Sequence, residues 1–298
     1  MPKILNYGSM NIDNVLRVEE FVRPGETIVA QSMEHLPGGK GLNQSVALAQ
    51  AGAEVYHAGK IGPDGDWLLD LMEHAGVHTE FVGKAGSATG KAIIQVNHAG
   101  QNCIVVYHGA NGEISKQDID STLQHFGPDD VLLLQNEINN ILYLIDKTFE
   151  QGMKIAWNPS PFAPEMKSYP MEKISCFLLN EIEGYGLTGE QDPEKITQAL
   201  LRRNPEAKVV LTLGKSGVLY RDADHSVRHG IYQVPVVDTT GAGDTFTGFF
   251  LAGITGGESI EEALRLASVA SSLEVSRKGA ACAIPTMQEV RSARLALQ

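Results

Sequence analysis

Short apolar runs and longer amphipathic runs alternate along this chain. The strand-like "KILNYG" (3–8) precedes the helical "GLNQSVALAQAG" (41–52), and "VYHAGKIG" (55–62) precedes "DWLLDLMEHAG" (66–76). The rhythm continues through "VLLLQ", "ILYLIDKTFEQG", "KIAWNP", "CFLLN", "EKITQALLRRN" and "KVVLTLG" between 131 and 214. Short apolar runs separated by helix-length segments predict a largely parallel sheet covered on both faces. Two stretches break the rhythm. Residues 15–35 and 89–108 read as β-hairpins, the second with "AIIQV" and "CIVVY" flanking a polar turn at Gly100. Such insertions predict a separate small sheet, at about 12–36 and 89–108, of the kind that closes over a site. No repeat, linker or low-complexity tract divides residues 1–298, so one main domain is expected.

Four apolar runs stop at polar residues: Glu137 after "LLLQN", Asn158 after "IAW", Asn180 after "FLL", and Asn11 with Asp13 after the first run. Ligands of open α/β sheets bind outside the carboxyl ends of strands. Any one of these residues alone reads as a turn former. Together on one edge they predict a polar pocket, with carboxylates and amides suited to a ligand bearing several hydroxyls.

Charge narrows the partners. The formal net charge of −12 argues against a nucleic-acid or anionic-membrane partner, which would favour a basic face. Cys103, Cys176 and Cys282 form no C-x-x-C pair, which fits buried thiols in a reducing compartment. The start "MPKILNYGSM" lacks a signal-peptide core, and no apolar run approaches the roughly 20 residues of a membrane span. A cytoplasmic protein is expected. Two decoys fail: "GKS" (214–216) has Val209, and "TGKA" (89–92) has Ala85, where a P-loop needs glycine. The pairs His74/His78 and His225/His229 lack the further ligands of a metal site and read as surface histidines.

One loop poses a chemical question. "DTTGAGDTF" (238–246) sets glycines against the start of a helix whose apolar run is Phe249–Ile254. Bare amides there would bind an anion, yet Asp244 in the same turn would repel it.

Several long motifs in order now identify a likeness. "GSMNIDNVLRV", "RPGET", "PGGKGLNQSVALAQAG", "IGPDGDWLLDLM", "LLNEIEGYGLTG", "DTTGAGDTFTGFF" and "SRKGAACAIP" resemble the ribokinase-like carbohydrate kinases nearly end to end. The resemblance implies a doubly wound, mostly parallel α/β sheet flanked by helices, with a small β-sheet lid. It implies ATP-dependent phosphorylation of a sugar hydroxymethyl group, D-ribose at O5 first. Deoxyribose, another sugar or a nucleoside are the alternative acceptors, and a non-catalytic sugar or nucleotide sensor is a third reading.

By that match the amides of Gly241, Ala242 and Gly243 form an anion hole and Asp244 is the catalytic base, which resolves the question above: the acid faces the sugar, the amides face the phosphates. Asn11, Asp13, Gly38, Gly39, Lys40, Asn43 and Glu137 would line the sugar pocket. Asn180 and Glu183 would order Mg²⁺ and phosphates, and Thr212, Gly214, Lys215 and Gly217 would lie beside the nucleotide. K⁺ would be held by Asp238 and by main-chain oxygens at Thr240, Glu274, Arg277 and Gly279, unless Arg277 or Lys278 supplies the loop's countercharge. Leu179, Ala267 and Ala283 stand where the family often has polar residues. A homodimer joined through the lid is implied as well.

Overall fold

The computed structural model describes residues 2–298, built on one nine-stranded sheet and one four-stranded sheet. In chain order, β1 (Ile4–Tyr7) opens the large sheet, while β2 (Asn11–Arg17) and β3 (Ser32–Gly38) belong to the small one. The chain then forms α1 (Lys40–Gln50), β4 (Val55–Ile61), α2 (Asp66–His74) and β5 (His78–Lys84). The small sheet is completed by β6 (Gly90–Val96) and β7 (Asn102–Tyr107). Next come α3 (Lys116–Leu123), β8 (Val131–Leu134), α4 (Ile141–Glu150), β9 (Lys154–Trp157) and β10 (Cys176–Asn180). Then follow α5 (Glu181–Thr188), α6 (Pro193–Arg203), β11 (Lys208–Thr212), β12 (Val218–Arg221) and β13 (Ser226–His229). Helices α7 (Ala242–Thr255), α8 (Ile260–Val275) and α9 (Met287–Ser292) close the chain.

The large sheet runs β13-β12-β11-β10-β9-β8-β1-β4-β5, and only the β11–β12 and β12–β13 pairs are antiparallel. That antiparallel edge was not legible, because "VLYR" and "SVRH" are short and half polar. Successive side chains in the parallel strands feed two cores on opposite faces. Ile4, Val131 and Leu133 join one with Phe249 and Phe250, and Leu5, Leu132 and Leu134 join the other with Trp157 and Phe177. Burial on both sides is why these strands read as unbroken apolar runs. Progression reverses at β1, which has β4 on one side and β8 on the other, so the β1/β8 junction is the topological switch point of the sheet.

The first strand ends earlier than the sequence suggests. β1 stops at Tyr7, and Asn11 and Asp13 lie in β2 of the small sheet. The chain peels away because the Leu42 N–H takes the Ser9 carbonyl and the Asn111 side chain pairs with both backbone groups of Met10. In the small sheet, order β3-β2-β6-β7, β6 and β7 meet through a tight turn closed by Asn97 N–H to the Gln101 carbonyl. The other pair is antiparallel but is no tight hairpin, since residues 18–31 connect β2 to β3. β7 is exposed along its whole length, and β3 is tied to the loop after α8 by Glu34–Lys278 at 2.9 Å.

Helix α7 starts at Ala242, capped by Gly241 in the left-handed region, so "AGD" lies in its first turn rather than in a loop before it. Gly248 lets α7 press onto α1, because a Cβ there would overlap Ala47. One turn earlier on each helix, the same approach brings Asn43 and Gln44 to Asp244. No helix among the described residues is long and apolar enough to cross a membrane.

Candidate active site

A cavity of about 230 Å³ opens beside the carboxyl ends of β9, β10 and β11, lined among others by Lys40, Asn158, Asn180, Glu183, Thr212 and Asp244. Asp244 is only 6 % exposed. Its Oδ2 accepts from Asn43 Nδ2 at 3.0 Å and its Oδ1 from Gln44 Nε2 at 2.8 Å. Two amide donors fix the carboxylate plane and leave lone pairs for a further donor. Among the described residues, the N–H groups of Gly241 and Gly243 donate to no protein acceptor, and that of Ala242 makes only a long 3.4 Å bond to the Thr239 carbonyl. A helix start with free amides stabilises negative charge. Lys40 adds a cation: Asp244 foremost, then Glu137 and Glu183, raise its pKa against the opposing effect of burial.

A second set of polar groups lies where β2 and β3 meet α1. Glu137 Oε2 accepts from Ser9 Oγ at 2.5 Å and from the Lys40 N–H at 2.9 Å. Asp13 is pushed up to about 7, first by burial and then by the neighbouring charge of Glu137. Gly38 is needed opposite it, since a Cβ would overlap the Asp13 carboxylate. Asn11 Oδ1 accepts from Asn111 Nδ2 at 2.8 Å, and Asn43 Oδ1 is buried with no partner. Gly39 caps α1 just before Lys40. These carboxylates and this unused amide oxygen are acceptors waiting for hydroxyl donors.

Asn180 and Glu183 form a capping box at the start of α5, with Glu183 N–H to Asn180 Oδ1 at 3.0 Å and Asn180 N–H to Glu183 Oε2 at 2.9 Å. Glu183 therefore spends part of its carboxylate on its own helix while still lining the cavity, and burial is the main cause of its raised pKa. Thr212 lines the cavity, whereas Gly214, Lys215 and Gly217 lie in and beside the turn beyond β11 and do not.

Behind the loop before α7, Asp238 joins two segments: Oδ1 accepts from the Thr240 N–H at 3.0 Å and Oδ2 from the Gly279 N–H at 3.2 Å. Burial opposes its ionisation, but these bonds hold its pKa below the usual value. Glu274 is 0 % exposed, and neither carboxylate oxygen has a partner. Burial first, then Asp238 and Asp244, push it up to about 9. Neither candidate countercharge turns inward. Arg277 pairs with Glu289 at 2.7 Å and Lys278 with Glu34 at 2.9 Å. Nothing in the sequence pattern singles out Ser9 or Asn111, whereas Gln44 stands out by its place four residues after Lys40, on the same helix face.

The chain is 34% identical over 294 residues to ribokinase of Bacillus subtilis (strain 168), covering 97% of this chain and 98% of that one. It is 28% identical over 291 residues to deoxyribokinase of Salmonella typhi, with 95% of each chain covered. The solved structure of Arabidopsis thaliana ribokinase complexed with ribose and ATP superposes with a TM-score of 0.85, at 30% identity and 97% coverage of both chains. The sequence pattern of the pfkB family carbohydrate kinases matches residues 1–287, and the chain belongs to that family of ATP-binding sugar kinases.

Proposed function

We propose that this carbohydrate kinase transfers the γ-phosphoryl group of ATP to O5 of D-ribose. The observation that carries the reading is Asp244 held between two amide donors, with Lys40 joining it to the Asp13–Glu137 pair: the Lys40 N–H donates to Glu137, and its ammonium is raised in pKa by Asp244 first and by Glu137 after it. Asp13, Glu137, Asn11 and the free Asn43 Oδ1 take the ring hydroxyls, and the backbone at Gly38, Gly39 and Lys40 closes round the sugar. That leaves the hydroxymethyl group for Asp244. The amides of Gly241, Ala242 and Gly243 meet the negative charge of the transferring group, each such donor being worth on the order of 3 kcal/mol. Lys40 adds its charge on the same side. The transition state is loose, so Asp244 takes the hydroxyl proton late and positioning contributes most.

Two ions fit the residues present. Mg²⁺, which neutralises the triphosphate when bound, would be held through its waters by Asn180 and by the part of Glu183 not used in its cap. K⁺ would fit behind the loop, where Asp238 and main-chain oxygens at Thr240, Glu274, Arg277 and Gly279 would supply hard oxygens, and a cation there would favour ionisation of the buried Glu274 carboxyl, which has no hydrogen-bond partner. It would keep the loop in shape without touching substrate. Turnover should therefore be several-fold higher in KCl than in choline chloride at equal ionic strength, and Asp238→Ala should abolish the difference. Equal rates in KCl, NaCl and choline chloride contradict the site.

The exposed lid strand, with Ile104, Val105, Val106 and Tyr107 in sequence, supports a homodimer joined lid to lid. Sedimentation at micromolar concentration should show twice the 32.2 kDa chain mass. A species of single-chain mass alone rejects it. The substrate reading is tested by kcat/KM for ribose, 2-deoxyribose, hexoses and nucleosides with ATP. Ribose should rank first; deoxyribose used equally well would favour the alternative that the deoxyribokinase relative represents.

A further inference from the structure

A chain of buried amides runs behind Asp244. Gln44 Nε2 donates to Asp244 Oδ1 at 2.8 Å and to Asn158 Oδ1 at 3.0 Å, which uses both of its protons. Its Oε1 accepts from Gln135 Nε2 at 2.6 Å, and the same Gln135 nitrogen donates to Asn6 Oδ1 at 2.9 Å. Asn6 Nδ2 donates to the Gly41 carbonyl at 2.7 Å and to Ser45 Oγ at 2.8 Å, and Ser45 Oγ lies 2.8 Å from Nδ1 of His57. Gln44, Asn6, Ser45 and His57 are 0 % exposed and Gln135 is 1 % exposed. At this depth of burial a wrongly turned amide would strand a buried polar group.

The direction of every amide follows from two backbone carbonyls, which can only accept. Because the Gly41 carbonyl takes Asn6 Nδ2, Asn6 Oδ1 must face Gln135 and accept. Gln135 Nε2 then has its second proton for Gln44 Oε1, which turns Gln44 Nε2 towards Asp244. From the other side, the Leu178 carbonyl accepts Asn158 Nδ2 at 2.7 Å, so Asn158 presents its oxygen to the same Gln44 nitrogen. His57, pushed down to about 4 by burial, stays neutral at pH 7 and adds no charge to the chain. A flipped Gln44 would set its oxygen against the Asp244 carboxylate and against Asn158 Oδ1.

We propose that Gln44 is a positioning residue for phosphoryl transfer: it holds the Asp244 carboxylate at its working angle, and its own direction is set by the Gly41 and Leu178 carbonyls through Asn6, Gln135 and Asn158. The proposal rests on Asp244 being the base. Asn43 grips the other carboxylate oxygen but lies at the sugar edge, whereas Gln44 is covered on every side and touches no substrate.

The test is a double-mutant cycle read in kcat, KM and melting temperature. Gln44→Met, similar in size but without donors, should lower kcat by about 10- to 100-fold, the scale of a misplaced catalytic group, with KM for ATP within about twofold. Gln135→Met, which frees Gln44 to turn, should lower kcat less, by about 3- to 10-fold, in the same pattern. In the Asp244→Asn background neither change should reduce the residual rate further, because there is no base left to aim. A folded Gln44→Met enzyme with kcat within twofold of the parent overturns the proposal. So does an equal loss in both backgrounds, which marks a structural role. If Gln44→Met does not fold, the Gln135→Met pair decides by the same criteria. An Asp244→Asn enzyme that keeps full turnover removes the base, and the proposal with it.

Discussion

Asp244→Asn is expected to lower kcat by roughly 10²- to 10⁴-fold, the range for a lost general base, while sugar affinity stays near the parent's. The substitution keeps the side-chain shape but removes the acceptor for the hydroxyl proton. It also gives one of the two amide donors, Asn43 Nδ2 or Gln44 Nε2, an N–H to face instead of an oxygen. One buried hydrogen bond is then lost, a cost of about 1–3 kcal/mol, so a moderate fall in melting temperature accompanies the kinetic effect. Circular dichroism and binding measured by calorimetry separate the two. A folded variant with more than half the parent turnover takes Asp244 out of the mechanism.

Asp13→Ala is expected to raise KM for ribose by about 10- to 100-fold, the worth of charged hydrogen bonds to a neutral ligand, with KM for ATP little changed. The position of Asp13 adds a pH signature. Burial first, then the charge of Glu137, push its pKa up to about 7. Sugar hydroxyls donate to the ionised form and so favour it. Affinity should accordingly rise with pH below that value, by at most about tenfold per unit, and level off above it. Asp13→Asn should flatten the curve. Calorimetric titration with ribose from pH 5.5 to 8.5 reads both effects. Equal weakening of ATP and ribose would instead mark Asp13 as a structural residue of the lid.

Much of the architecture was legible because its physics is local. The runs that became β8, β9, β10 and β11 are buried on both faces and could only read as apolar strands. Of the polar stops, Asn158 and Asn180 line one cavity at that edge together with Asp244, whereas Asn11 and Asp13 lie in β2 of the small sheet. Less legible were features set by distant partners. Where β1 ends depends on Asn111, whose side chain takes over the backbone of Met10 from across the chain. Gln44 looks like one more polar residue on an amphipathic helix until α7 packs against it. The resemblance gives Glu274 only a main-chain oxygen, and nothing local in the sequence shows that its side chain is fully buried against the loop before α7. The antiparallel edge formed by β12 and β13 carries too few apolar residues to stand out.

The most direct measurement is the identity of the product made from ATP and D-ribose. Phosphorus–proton correlation NMR of the reaction mixture should couple the new phosphate to the two C5 protons of ribose, with one ADP formed for each phosphate transferred. Phosphate on another carbon, or no ribose phosphate while 2-deoxyribose or a nucleoside is readily phosphorylated, would contradict O5 of ribose as the acceptor.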